Sequence, residues 1–123
     1  MSHKNIFGQP LQPCCFEPMT GFYRDGYCRT DQWDGGRHVI CAVMTEEFLS
    51  FTRAMGNDLI TPRPEYGFPG LKPGDRWCLC ALRWKEAYEF GLAPPVIPEA
   101  CAEEALQYVD LHILAKSALK TEP

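Results

Sequence analysis

The 123-residue chain has no stretch approaching the roughly 18 consecutive apolar residues of a membrane-spanning helix, so no membrane partner is expected. Its opening, MSHKNIFGQP, lacks a basic region followed by an apolar run, which argues against a secretory signal and for a cytoplasmic protein. Histidine is scarce. Of the three, His3 sits in the terminal tail and His112 in a C-terminal helical region, leaving His38 as the candidate acid or base. A basic excess is also missing: residues 1–83 carry nine acids and nine bases, and residues 84–123 seven acids against three lysines. With no basic stripe, nucleic acid is not an expected partner. There is no Ser/His/Asp order, phosphate-binding glycine loop, paired-carboxylate motif, internal repeat or low-complexity tract.

What is present fits a single domain over 1–123. An apolar fraction of 46% with 23% charged residues is ordinary for a globular protein that can bury a core without staples. Cysteine is abundant, at seven, and odd in number. In a reducing compartment a disulfide framework is not expected, so these residues read as buried small hydrophobes, metal ligands or reactive thiols. All seven arginines lie in the first 83 residues, and their forked donors suit a carboxylate or phosphate.

Residues 1–18, with Pro10, Pro13 and Pro18 around Cys14 and Cys15, read as an irregular lead-in. In GFYRDGYCRT, Asp25-Gly26 between aromatic flanks predicts a two-residue hairpin. That register puts Phe22, Arg24, Tyr27 and Arg29 on one face, as an anion or planar-ligand surface or as a solvated face with its stems packed on rings. Residues 37–44, RHVICAVM, are apolar on both alternating faces and predict a strand. Val39, Cys41 and Val43 would point one way and His38, Ile40, Ala42 and Met44 the other. Thr45 then caps a helix, TEEFLSFTRAM, with Glu46 and Glu47 at its positive end and Gly56-Asn57 as its stop.

Between Asn57 and Asp75 fall Pro62, Pro64, Pro69 and Pro73 with three glycines. That segment cannot be a helix, is too aromatic for a plain linker, and marks where a site is expected. Beyond it, Trp77, Cys80/Ala81, Trp84 and Ala87/Tyr88 repeat at helical spacing, predicting a helix over 76–90 with Asp75 as its N-cap. A strand over WCLCAL is the competing reading. Residues 94–98 frame a short extended piece, and a last helical region covers 101–119 with a break near Asp110.

The helix-or-strand question governs Cys78 and Cys80. Two apart on a strand, they share a face and can chelate together; on a helix they lie about 200° apart. The helical reading makes Cys78 a first-turn thiol activated by the dipole, with Cys80 turned toward the core beside Trp77 and Trp84. The cysteine spacings match no standard zinc motif, so no metal is expected; Cys14, Cys28, Cys41 and His38 are the ligands to consider otherwise.

The segments CxxxPMTGFYRDGxC, HVICAVMTEEFL, GNDLITPRPEYGFPGLKPGDRWCLCALRWKEA and GLAPPVIPEA together resemble the small, mostly bacterial proteins of domain of unknown function 2237, from about Asn5 to about Leu119. The resemblance implies a two-layer α+β domain and brings no established activity. Cys14, Cys28, His38, Cys41, Cys78, Cys80, Arg24, Asp25, Asn57, Asp58 and Asp75 fall inside the family's motifs, whereas Cys15 is peculiar to this chain. Where family members read Glu-Ala-Thr-His-Glu, this chain has Glu99-Ala100-Cys101-Ala102-Glu103, which removes a histidine.

The expected fold is therefore α+β: a small antiparallel or mixed sheet packed by about three helices, with the 57–75 loop prominent. The leading functional expectation is a binding domain for a small anionic molecule or a protein partner. Arg24, Arg63 and Arg76 would receive the charge and Trp77 and Tyr66 form walls, with Asp25, Asn57, Asp58 and Asp75 close by. The alternatives are a thiol-dependent enzyme or redox protein using Cys78 or Cys80, and a structural metal site built from the cysteines. No cofactor and no particular oligomeric state are expected.

Overall fold

A computed structural model describes residues 3–17, 19–30, 34 and 37–119. Among them are a two-stranded antiparallel sheet and three α-helices, an α+β architecture. Strand β1 (His38–Val43) leads into α1 (Glu46–Ala54). The Thr45 hydroxyl accepts the Phe48 backbone N–H at 3.1 Å, satisfying one of the free donors at the helix start. Glu46 and Glu47 occupy the first turn. Gly56, at φ +98°, ends the helix, with its N–H on Arg53 O and the Asn57 N–H on Thr52 O. Phe48, Leu49 and Thr52 are buried, Phe51 is half-buried, and Met55 lies at the surface.

The expected 76–90 helix divides in two. Arg76–Cys80 is strand β2, and α2 begins only at Ala81, running to Glu89. Trp77, Cys78 and Leu79 are all buried, so both faces of β2 are covered. A five-residue segment buried on both faces carries no one-sided pattern that separates strand from helix. Asp75 is consequently no helix cap: its carboxylate accepts the Lys72 backbone N–H at 3.0 Å and closes the preceding turn. The α2 half of the expectation stands, with Ala81, Trp84 and Ala87 inward and a stop at Gly91 (φ +74°).

Strands β1 and β2 pair with Cys41 opposite Cys78 and Ala42 opposite Trp77, and the register slips between His38 and Ile40. The sheet gains a third, irregular edge from residues 95–97: Val43 N–H donates to Pro95 O and Ile97 N–H to Cys41 O. Helix α2 packs on both strands and on α1. Within that layer Trp84 is fully buried, stacks on Tyr88 and donates its indole N–H to Pro94 O at 2.9 Å. Fully burying Phe48 of α1 in the core stabilises the fold by about 1.5–3 kcal/mol. The C-terminal region has a 3₁₀ segment, Glu103–Gln107, and then α3 (Leu111–Lys116), with the expected break at Asp110.

The lead-in is irregular but tied down. Buried Asn5 accepts the N–H groups of Phe7 and Gln9 and donates to Glu99 O, while Ile6 N–H donates to Cys101 O. The 21–30 hairpin does not form. Asp25 instead accepts the Tyr27 N–H and pairs with Arg29 at 2.7 Å, and Gly26 N–H closes a loop onto Thr20 O. Besides these local turns the segment bonds to the lead-in, through Cys14 N–H on Gly26 O. The single Phe22/Arg24/Tyr27/Arg29 face is thus split: Phe22 and Arg24 line one concavity, Tyr27 and Arg29 another.

Candidate functional site

The Pro/Gly-rich stretch folds into an ordered lobe. Asp58 holds its start by accepting the N–H groups of Ile60 and Thr61 and the Thr61 hydroxyl. Those bonds, the Thr61 hydroxyl foremost, draw its pKa down to about 2. Arg63 and Phe68 exchange backbone hydrogen bonds around a 3₁₀ turn, Pro64–Tyr66, and Leu71 N–H returns to Leu59 O. The lobe faces β2 and the 21–30 segment across a cleft of about 500 Å³. Arg24, Asp58, Arg63, Tyr66 and Trp77 of the expected binding set, and His38, the candidate acid or base, line this cleft together. Phe22, Leu59 and Phe68 complete it. A smaller hollow of about 310 Å³ beside Trp84 and Tyr88 mixes Lys85 with Glu89 and Asp110 and gathers no such cationic pair.

Both arginines are available to a ligand. Arg24 stacks its guanidinium over Trp77, 5.2 Å from the ring centroid, and spends one N–H on Gly21 O. Arg63 is exposed and makes no side-chain ion pair among the described residues. Arg24 sits at φ +55°, a left-handed conformation that costs a residue with a Cβ about 1–2 kcal/mol. Such strain gathers at functional positions. Phe68 meets Trp77 edge-on at 5.2 Å, giving the cleft an aromatic floor under its cationic rim.

His38 enters the cleft with a buried partner that the sequence reading missed. Asp34, 1% exposed, approaches His38 Nδ1 at 2.7 Å through Oδ1. Its Oδ2 accepts the His38 backbone N–H at 2.8 Å and the Thr30 hydroxyl at 2.9 Å. Burial pushes the Asp34 carboxyl up, but the hydrogen bonds from His38 and Thr30 and the imidazole charge outweigh it, leaving it below its ordinary value. An ionised carboxylate only accepts, so Nδ1 is the donor and Nε2 is left for whatever enters the cleft. Arg37, at φ +50°, and the register slip beside His38 turn the chain so that both His38 contacts with Asp34 are made. The available signal was Asp34-Gly35-Gly36, a turn-type sequence just before the strand.

Other expected site residues lie elsewhere. Asp25 is engaged by Arg29, and Asn57 donates to Thr52 Oγ1 at 3.2 Å at the end of α1. Asp75 is held by Lys72, and Arg76 opens toward residues 96–99. Each is occupied with local structure or faces away from the cleft.

Four of the seven cysteines gather on the face of the sheet opposite Trp77. Contrary to the expectation of no disulfides, Cys14 is bonded to Cys41 and Cys28 to Cys78. That expectation came from compartment alone, whereas the pairing depends on contacts 27 and 50 residues apart in sequence. Cys78 sits mid-strand in a disulfide, so the argument for a first-turn activated thiol does not apply to it. Cys80 is free and half-buried at the end of β2, not turned into the core. Cys15 is free and half-buried as well. Cys101 is sealed in, and desolvation pushes its thiol up to about 12. Of the metal-ligand candidates, His38 stands apart with Asp34, while Cys78 joins Cys14, Cys28 and Cys41.

The molecule thus has a small α+β fold, with an arginine-rimmed aromatic cleft against Trp77 and a buried sulfur cluster around Cys41 and Cys78. Among the described residues no helix is long and apolar enough to cross a membrane. The chain belongs to the family described as uncharacterized protein conserved in bacteria (DUF2237), whose model matches residues 4–118. No curated protein matches the chain.

Proposed function

We propose that the protein is a binding domain for a small anionic molecule with a planar or apolar body, held in the cleft between the 57–75 lobe and β2. The observation that carries this reading is that Arg24, stacked over Trp77, and Arg63 line one cleft, neither paired with a carboxylate among the described residues. The arginines receive the charged group bidentately, and Trp77, Phe68 and Tyr66 cover the body. His38 Nε2 adds a third polar contact, its direction set by Asp34. The cytoplasmic location expected from the sequence belongs to the same reading, and cell fractionation tests it.

The direct test is an amide-resolved NMR titration with benzoate, phenyl phosphate and inorganic phosphate. The aromatic anions should shift Arg24, Arg63, Phe68 and Trp77 saturably, and more tightly than inorganic phosphate. Arg63→Gln should weaken phenyl phosphate about tenfold, equivalent to about 1.4 kcal/mol. Shifts scattered over the surface, or unchanged affinity in Arg63→Gln, would remove the cleft from consideration.

A second reading, proton transfer by His38, is favoured by the buried Asp34 behind its ring. It requires phenyl phosphate affinity to respond to Asp34→Asn. An affinity indifferent to that change argues for binding without His38.

A further inference from the structure

We infer that Cys14, Cys28, Cys41 and Cys78, once reduced, form a tetrathiolate site for one structural zinc ion. Two independent disulfides have no reason to touch, yet these two share one point. The sulfur atoms of Cys14, Cys28 and Cys78 all lie within 4.8 Å of one another, and that of Cys41 is bonded to Cys14. A tetrahedral ion with zinc–sulfur bonds of about 2.3 Å sets its sulfurs about 3.8 Å apart. Among Cys14, Cys28 and Cys78 the contacts between the two pairs therefore need to close by about an ångström or less, and Cys41, bonded to Cys14, swings in from its place opposite Cys78 once that bond is reduced.

The placement of the four donors supports this. Cys41 and Cys78 are directly opposed on β1 and β2, so both side chains leave the same face of the ladder. Cys14 comes from the lead-in and Cys28 from the 21–30 segment, and these are joined by Cys14 N–H on Gly26 O. All four are buried, which leaves no open coordination position for water and marks a structural site rather than a catalytic one. The spacing in sequence matches no standard motif because the donors come from four separate segments.

The chemistry balances with a dithiol as reductant. Each protein disulfide takes two electrons and two protons and becomes two thiols, while the dithiol leaves as its own disulfide. The four thiols then release four protons as zinc binds, so affinity rises with pH. The ion holds the Arg24-bearing segment against the Trp77-bearing strand, as the Cys28–Cys78 bond does in the oxidised form. The inference stands apart from the cleft's ligand, since metal uptake is read without it.

The test uses full-length protein carrying Cys15→Ser, Cys80→Ser and Cys101→Ala, reduced with a phosphine under anaerobic conditions until four thiols titrate. Cobalt(II) should bind at one equivalent with the charge-transfer and ligand-field bands of a tetrahedral thiolate centre. Zinc should displace it, and all four thiols should be protected from alkylation. Cys28→Ser in that background should weaken cobalt binding at least tenfold. Should that variant fail to fold, the protection pattern in the parent decides alone. Less than 0.2 equivalents of metal on the fully reduced protein, or four thiols that alkylate at the same rate with and without cobalt, overturns the proposal.

Discussion

Replacing Asp34 with asparagine removes one charge while keeping the shape of the side chain that supports His38. In the native protein Oδ1 meets His38 Nδ1, and Oδ2 accepts both the Thr30 hydroxyl and the His38 N–H. Hydrogen bonds to a charged acceptor contribute about 1.5–3 kcal/mol and neutral ones about 0.5–1.5 kcal/mol. Three bonds weakened by about 1 kcal/mol each set an upper bound near 3 kcal/mol. Relief from burying a carboxylate offsets part of this, and the expected loss at pH 7 is about 1–2 kcal/mol. The asparagine oxygen should take the Oδ2 position, where two donors point, leaving its NH₂ facing Nδ1. Nδ1 must then accept, so the neutral ring moves its proton to Nε2. Long-range ¹H–¹⁵N correlation of the histidine ring should show the native Nδ1–H form replaced by Nε2–H. The stability gap also depends on pH. Because Asp34's folded pKa lies below its unfolded value of 3.8, its contribution is complete above that value and is lost as pH falls through the lower folded pKa. Urea melts at pH 7, 5 and 3 should therefore show the two proteins converging at the lowest pH. An unchanged tautomer in Asp34→Asn, or a gap constant with pH, would refute the assignment of Asp34 as the partner that orients His38.

Other consequences are equally direct. Trp84→Phe leaves Pro94 O buried without its indole donor and opens space beside Tyr88, and should cost about 2–4 kcal/mol in chemical denaturation. A loss under 0.5 kcal/mol would show that the hydrogen bond is replaced. Cys101, with its thiol pushed up to about 12, should stay unalkylated in native protein at pH 9, while half-exposed Cys15 and Cys80 react. Equal labelling of all three would mean the 97–102 segment opens readily. Asp58 should titrate by NMR with a midpoint at about 2, its stabilisation of the lobe complete above pH 4 and lost as pH falls through about 2. A midpoint near 4 would show that the turn onto Thr61 is not held in solution.

Local physics made part of this molecule legible in the sequence. Thr45, Glu46 and Glu47 announce the start of α1 because capping and dipole effects act within one turn, and Gly56 announces its end for the same reason. The apolar run 38–43 forms the strand it predicts, and the α2 stripe Ala81, Trp84, Ala87 is readable from its spacing. The location of the cleft was legible as well, since a Pro/Gly-rich stretch full of aromatics between two elements has to fold over something. Which residues enter it was legible only in part: Arg24, His38, Asp58, Arg63, Tyr66 and Trp77 do, whereas Asp25, Asn57, Asp75 and Arg76 do not. Arg24 reaches Trp77 because the 20–26 loop turns back on Thr20, where Asp25-Gly26 predicts a hairpin. Arg76, adjacent to Trp77, points away because neighbours on a strand leave by opposite faces.

By itself, then, the sequence determined the composition of an α+β fold, the β1–α1 unit, helix α2 and the position of the Pro/Gly-rich lobe. These are set by interactions among residues a few positions apart. Tertiary structure alone decided that 76–80 is a strand, that Asp34 supports His38, and that four cysteines from four segments meet at one buried point. Each of these depends on a partner distant in the chain or across a turn, and a short segment buried on both faces carries no periodicity from which that partner can be read.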